Sequence, residues 1–278
     1  MRQLRGAPTR EERAVSMVSF LKQIGSLCIV LSFSHSELAG AIAFGDRPCD
    51  VSNPQEEPPS ETPSQSQRET RIVAGWKVHV SQQLIDRDKE AVNKAMGLLK
   101  KQLDEVIRVV PKQAVKELQK VPLYFSDEYP GVGPRAEFHP GEEWLRDNGR
   151  DPAMVRSVEF TNIRIFEEEM DRMPNFALHE LAHAYHFRFL KEGYGNAEII
   201  AAYDRAKQSG GYDRVERRLG GDRPNEFEAA YGISNPQEYF AETTEAYFSR
   251  NDFFPFTRAE LRKHDPEMHD LLKKLWNP

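Results

Sequence analysis

Two histidines and a glutamate stand close together in the run Leu178-His179-Glu180-Leu181-Ala182-His183-Ala184-Tyr185-His186. On an α-helix, positions i and i+4 share one face, so His179 and His183 can converge on a single ion. Zinc accepts imidazole nitrogen at about 2.0–2.1 Å. Glu180 points away from the line of the two histidines and is free to act as a general base. The expected chemistry is hydrolysis by a metal-activated water. Thiolates do not contribute to such a site, because the two cysteines, Cys28 and Cys49, lie near the start of the chain. The ion must be held by histidine and carboxylate.

The neighbours of the motif place it at the rim of a core. At about 100° per residue, Leu178, Leu181, Ala182, Tyr185 and Phe189 form one apolar stripe, and His179 and His183 fall beside it. A third protein ligand is required. In the metzincin pattern a glycine follows the second histidine by three residues and a third histidine comes three later. Here those positions hold His186 and Phe189, so the pattern fails. His186 has two readings: a wall of the cleft that supports the ligands from behind, or a histidine at the edge of the core.

A better third ligand lies downstream. Asn235-Pro236-Gln237-Glu238 reads as a helix start, with Asn235 as cap and Pro236 at the first position, and the helix runs to about Phe248. Glu238, Glu242 and Glu245 make a carboxylate stripe, while Tyr239, Phe240, Ala241, Ala246, Tyr247 and Phe248 make the other faces apolar. Buried carboxylates are costly unless paired or bound to metal. Glu238 is therefore expected on the ion. Glu242, one turn on, is expected to accept the ring N–H of a ligand histidine. For Glu245, an ion pair with an arginine or lysine is preferred over a metal role.

The elements that must position these groups follow from periodicity. A strand is predicted over 72–80, a helix over 87–110 stopped by Pro111, and a strand over 121–126. A Gly/Pro-rich loop covers 129–134, a short strand 135–139 and an alternating strand 157–166. From Pro174 on the signals are helical, broken at 209–235. The fold expected is α+β: a small mixed sheet with the active-site helix, then a mainly helical C-terminal half. The 135–139 segment is a candidate edge strand for substrate, with His139 either projecting into the cleft or lying on the surface.

Residues 24–33 form a short apolar run preceded by Arg2, Arg5, Arg10, Arg13 and Lys22 and followed by Ala41-Ile42-Ala43, the parts of a secretory signal peptide over 1–43. Residues 44–70, rich in Pro, Ser, Glu and Gln, are expected to be a disordered spacer. Residues 71–278 make one domain. The chain of 278 residues carries a formal net charge of −6, which gives no support to nucleic-acid binding. The partner expected is a protein or peptide substrate, met outside the cytoplasm (secreted or periplasmic) by a monomer with no stable membrane insertion.

The two motifs together resemble the gluzincin metallopeptidases. The stretch Tyr231-Gly232-Ile233-Ser234-Asn235-Pro236-Gln237-Glu238-Tyr239-Phe240-Ala241-Glu242 is similar to a segment of the peptidase domain of anthrax toxin lethal factor. Residues 178–186 and 251–256 also resemble segments of a group of secreted metallopeptidases. The resemblance implies a zincin-like fold, one zinc ion, Glu238 as third ligand and Tyr231 as support for the transition-state oxyanion. From the residues alone, Tyr-Gly before a helix also reads as a plain turn. Two rival functions stay open: a zinc amidase acting on a non-peptide bond such as cell-wall material, and a secreted binding protein with a structural zinc.

Overall fold

A computed structural model describes residues 67–277. The expected signal peptide, most of the expected spacer and both cysteines lie outside the described residues. The chain first forms a hairpin of β1 (Arg68–Val73) and β2 (Trp76–Ser81), joined by Ala74 and Gly75, both at positive φ. Positive φ at both central residues is what a two-residue hairpin turn with the sheet's own twist requires. The strand predicted over 72–80 is thus two strands. The first begins at Arg68, within the stretch expected to be spacer, because Arg68 and Glu69 pair with Ser81 and Val80.

The sheet has five strands in the order β1-β2-β3-β5-β4, with β3 at Leu123–Phe125, β4 at Ala136–Phe138 and β5 at Val158–Phe160. The β2-β3 and β3-β5 pairs are parallel, and the two outer pairs are antiparallel, so the sheet is mixed. The strand predicted over 157–166 is cut to three residues, because its neighbours β3 and β4 offer only three pairing positions each. After it, Phe166 opens a helix and packs its ring against Phe160 and Phe176.

Helix α1 (Gln82–Val109) is capped by Ser81, which accepts from the Leu84 amide, and bends at Asp88. Its buried face carries Val92, Ala95, Leu99, Leu103 and Val106. Four further helices follow: α2 (Lys112–Leu118), α3 (Glu142–Asp147), α4 (Phe166–Arg172) and α5 (Phe176–Phe189). Helix α5 packs against α1, α2 and the sheet edge β4. Then come α6 (Ala197–Ser209), a two-stranded hairpin of β6 (Val215–Arg217) and β7 (Glu226–Glu228), α7 (Pro236–Phe248), α8 (Arg258–His264) and α9 (Pro266–Leu275). The small hairpin was not predicted. Its strands are short and charged, without apolar alternation, and Arg217 pairs with Glu228 across it at 2.7 Å.

Helix α7 packs along α5, and α9 packs on α7. Trp276, fully buried, stacks on Tyr185 of α5 at 4.0 Å and lies parallel to Phe240 of α7 at 6.0 Å. The Tyr185 hydroxyl donates to the Leu275 carbonyl at 3.1 Å. The helices α5 and α7 are thus locked to one another by aromatic packing. Among the described residues no helix is long and apolar enough to cross a membrane.

Candidate metal centre

Helix α5 starts at Asn175, whose side chain accepts from the Leu178 amide at 3.0 Å. Every residue from Phe176 to His186 is buried, including His179, Glu180 and His183. Helix α7 starts as its sequence directs: Asn235 accepts from the Glu238 amide at 2.9 Å, and Pro236 stands in the first turn. The cap fixes the first turn, and with it the Glu238 side chain.

The two helices bring three ligand atoms together. Nε2 of His179 lies 3.1 Å from Nε2 of His183 and 3.2 Å from Oε2 of Glu238. Nε2 of His183 lies 3.3 Å from the same oxygen. Ligands about 2.0–2.1 Å from a tetrahedral ion are about 3.3 Å apart, so the triangle has the size that zinc requires. Two imidazoles and one carboxylate are a donor set that could hold a metal ion.

The electrostatics point the same way. Burial disfavours the charged form of His179, but hydrogen bonds to Glu238 and Glu245 outweigh it and hold the ring's pKa well above its usual value. Burial pushes Glu238 up, but His183 and His179 pull it well below the ordinary carboxylate range. A positive charge between these groups is what the surroundings favour, and a proton supplies it where a cation does not. Glu180 is raised, first by burial and also by the neighbouring Glu238 and Glu137 carboxylates, with His179 and His183 opposing. A carboxyl tuned upward suits a group that must take and return a proton.

The histidine's outer partner differs from the expectation. Nδ1 of His179 is 2.9 Å from Oε2 of Glu245, whereas Glu242 stands at 3.9 Å. Helix geometry explains this. From Glu238, four residues advance the azimuth by about 40°, but seven return it to within about 20°, so Glu245 lies over Glu238 and Glu242 does not. The imidazole spans α7 lengthwise, with one nitrogen at Glu238 and the other at Glu245. Glu245, fully buried, is pushed up to about 7 by burial, against the pull of His179 and of Arg172. Arg172 in turn bonds Asp252 at 2.6 Å and Glu169 at 2.8 Å. Glu245 therefore takes the place expected of Glu242 and pairs with a histidine, where an arginine or lysine was expected. Glu242 is held up in pKa by burial and by Asp252 and Glu245.

His186 is fully buried against the rings of Tyr194 and Phe240, both at 5.0 Å, and neither of its ring nitrogens has a hydrogen-bond partner of good geometry among the described residues. Burial, aided by His183, takes its pKa down to about 3. It is a neutral core histidine and makes no hydrogen bond in support of the ligands. Tyr231, half-buried, sits on the single 3-10 turn Tyr231–Ile233 that leads into α7 and carries a phenol hydroxyl. Burial and then the carboxylates Glu238, Glu242 and Glu180 keep that hydroxyl protonated.

His139 neither enters the cleft nor lies on the surface. It is buried, with Nε2 2.9 Å from Oε2 of Glu159, and its ring stacks on Trp144. Arg150 completes this network at 2.7 Å from Glu159 and 2.8 Å from Glu137, and the Tyr129 hydroxyl donates to Glu159 at 2.8 Å. Glu137, His139 and Glu159 lie close enough to hold an ion. The Arg150 guanidinium already supplies the positive charge there, so the cluster is an internal ion network that ties the β4 edge to β5. Sequence patterning missed it because Glu159 sits in a strand, and His139 one residue past another, whose alternation fits an exposed face equally well.

No family model, no curated protein and no solved structure matches the chain.

Proposed function

We propose that the protein is a secreted zinc-dependent metallopeptidase of the gluzincin kind, with a zincin-like fold. The observation that carries this reading is the triangle of His179, His183 and Glu238, with edges of 3.1 to 3.3 Å and Glu180 beside it. A zinc ion bound there supplies a water of lowered pKa and a Lewis acid for the scissile carbonyl. Glu180 takes the proton of the attacking water and returns it to the leaving amine nitrogen. Tyr231 donates its hydroxyl hydrogen to the carbonyl oxygen as charge develops there. Glu245 accepts the Nδ1–H of His179 and so keeps Nε2 free to bind the ion. The β4 strand, alongside α5, is the end of the sheet where an extended peptide would add.

Three protein ligands beside a poised carboxylate favour this reading over a structural zinc, which takes four. The test has two parts. Purified protein should contain one zinc per chain, and it should cleave casein or members of a peptide library in a chelator-sensitive way. Glu180→Gln should keep the zinc and lose turnover. Cleavage by that variant at the wild-type rate, or wild-type protein that takes up no zinc, would refute the proposal.

A further inference from the structure

Two carboxylates face one another across the outermost pair of strands. Glu137 of β4 and Glu159 of β5 are register partners, and like charges directly opposite on neighbouring strands repel. One guanidinium holds them together. Nη1 of Arg150 lies 2.8 Å from Oε2 of Glu137 and 2.7 Å from Oε2 of Glu159. Arg150 is itself firmly placed. It is buried, its guanidinium lies over the Tyr129 ring at 4.2 Å and the Trp144 ring at 5.2 Å, and its backbone N–H donates to the Leu145 carbonyl at 2.7 Å. Glu159 has His139 and Tyr129 as further partners, so it stays held without Glu137. The bond from Arg150 to Glu137 therefore serves β4, a strand of three residues with β5 as its single neighbour.

The ladder decides what β4 presents on its other side. Thr161 N–H donates to the Arg135 carbonyl at 2.8 Å, and His139 N–H donates to the Ser157 carbonyl at 3.0 Å. Backbone direction alternates along an antiparallel strand, so Glu137 also turns its backbone to β5. The N–H and C=O of Ala136 and Phe138 then turn to the edge that ends the sheet. This edge runs beside the candidate metal centre. The Phe138 ring packs at 5.9 Å against Phe187 of α5, one helical turn beyond His183.

We propose that Arg150 is a positioning residue for substrate: through Glu137 it fixes β4, so that the outward backbone of Ala136 and Phe138 can add an extended peptide to the sheet beside α5. This rests on the peptidase reading. A strand fixed before binding loses less freedom when the peptide arrives. The clamp touches no reacting atom, so it acts on ground state and transition state alike.

Glu137→Ala severs the clamp from β4 and leaves Arg150 on Glu159. Its zinc content should match wild type. For a peptide of about eight residues, long enough to lie along β4, KM should rise about tenfold with kcat within about twofold of wild type. For a short peptide that does not reach β4, both constants should stay within about twofold. Glu137→Gln, which still accepts from Arg150, should recover most of the lost affinity. Hydrogen exchange, read without substrate, should quicken in Glu137→Ala at the His139 and Thr161 amides that bond across β4 and β5, and stay unchanged in α5. If exchange quickens but KM for the long peptide does not rise, or rises equally for both peptides, the clamp is structural only and the proposal is overturned, while an inactive Glu180→Gln leaves the peptidase reading standing. Unchanged exchange would mean that β4 is held without Arg150 and would overturn it too. If wild type is no more active than Glu180→Gln on every peptide tried, the peptidase reading falls and takes this with it.

Discussion

Replacing Glu245 with glutamine tests which carboxylate orients the metal-binding face of His179. The Glu245 carboxylate is 2.9 Å from Nδ1, and the Glu242 carboxylate is 3.9 Å away, beyond hydrogen-bonding distance. Loss of an outer partner of a zinc-bound histidine costs about 10–100-fold in metal affinity, or about 1.4–2.7 kcal/mol. Glutamine still accepts the N–H but without a charge, so Glu245→Gln belongs at the lower end, near tenfold, and Glu245→Ala nearer a hundredfold. Glu242→Gln should stay within about threefold of wild type. The assay is the zinc dissociation constant by competition with a chromophoric chelator, near neutral pH, for all three variants. A Glu242→Gln variant that loses zinc while Glu245→Gln keeps it would refute the assignment and restore the spacing-based expectation.

Other predictions follow from the same geometry. Chelation should abolish peptide cleavage and lower the thermal midpoint, and added zinc should restore both, since a ligand bound only by the folded state stabilises it; a midpoint unmoved by chelator would count against a site that joins α5 to α7. Asn235→Ala removes the cap that accepts from the Glu238 amide and should cost about 1 kcal/mol in denaturant unfolding; no loss would mean that packing alone fixes the first turn of α7. Trp276→Ala, at a fully buried ring stacked on Tyr185, should cost about 3–5 kcal/mol and weaken zinc binding as well; loss of stability with unchanged zinc affinity would separate the brace from the site. Glu159 is pushed up by burial, but His139, Ser126 and Arg150 bring it from 4.5 down to about 2. Its pKa is depressed by folding, so its stabilisation is complete above pH 4.5 and is lost as the pH falls toward 2. The advantage of wild type over Glu159→Gln in acid unfolding should shrink across that window, and a constant difference would refute the assignment.

The parts legible in the sequence were those governed by helix periodicity and capping. The stripe beside His179 and His183 and the Asn235-Pro236 start are local signals, and the helices at Phe176–Phe189 and Pro236–Phe248 follow them. The approach of Glu238 to the histidines is non-local, and it was reached through the cost of burying three carboxylates on an apolar helix and through the resemblance to the gluzincins. The choice between Glu242 and Glu245 depends on how α7 crosses the His179 ring, which no one-dimensional spacing encodes. The strands were over-extended because alternation at 157–166 continues past Phe160, while the lengths of the neighbouring strands decide where pairing stops.

The stacking of Trp276 on Tyr185 also sets an order of events during synthesis. His179, His183 and Glu238 all precede it, the last of them by 38 positions, counted from Glu238 to Trp276 (276 − 238). Until that tryptophan leaves the ribosome, the two ligand-bearing helices lack the ring that clamps them together. The residues of the candidate site are thus written early in the chain, and the ring that holds their two helices together comes late.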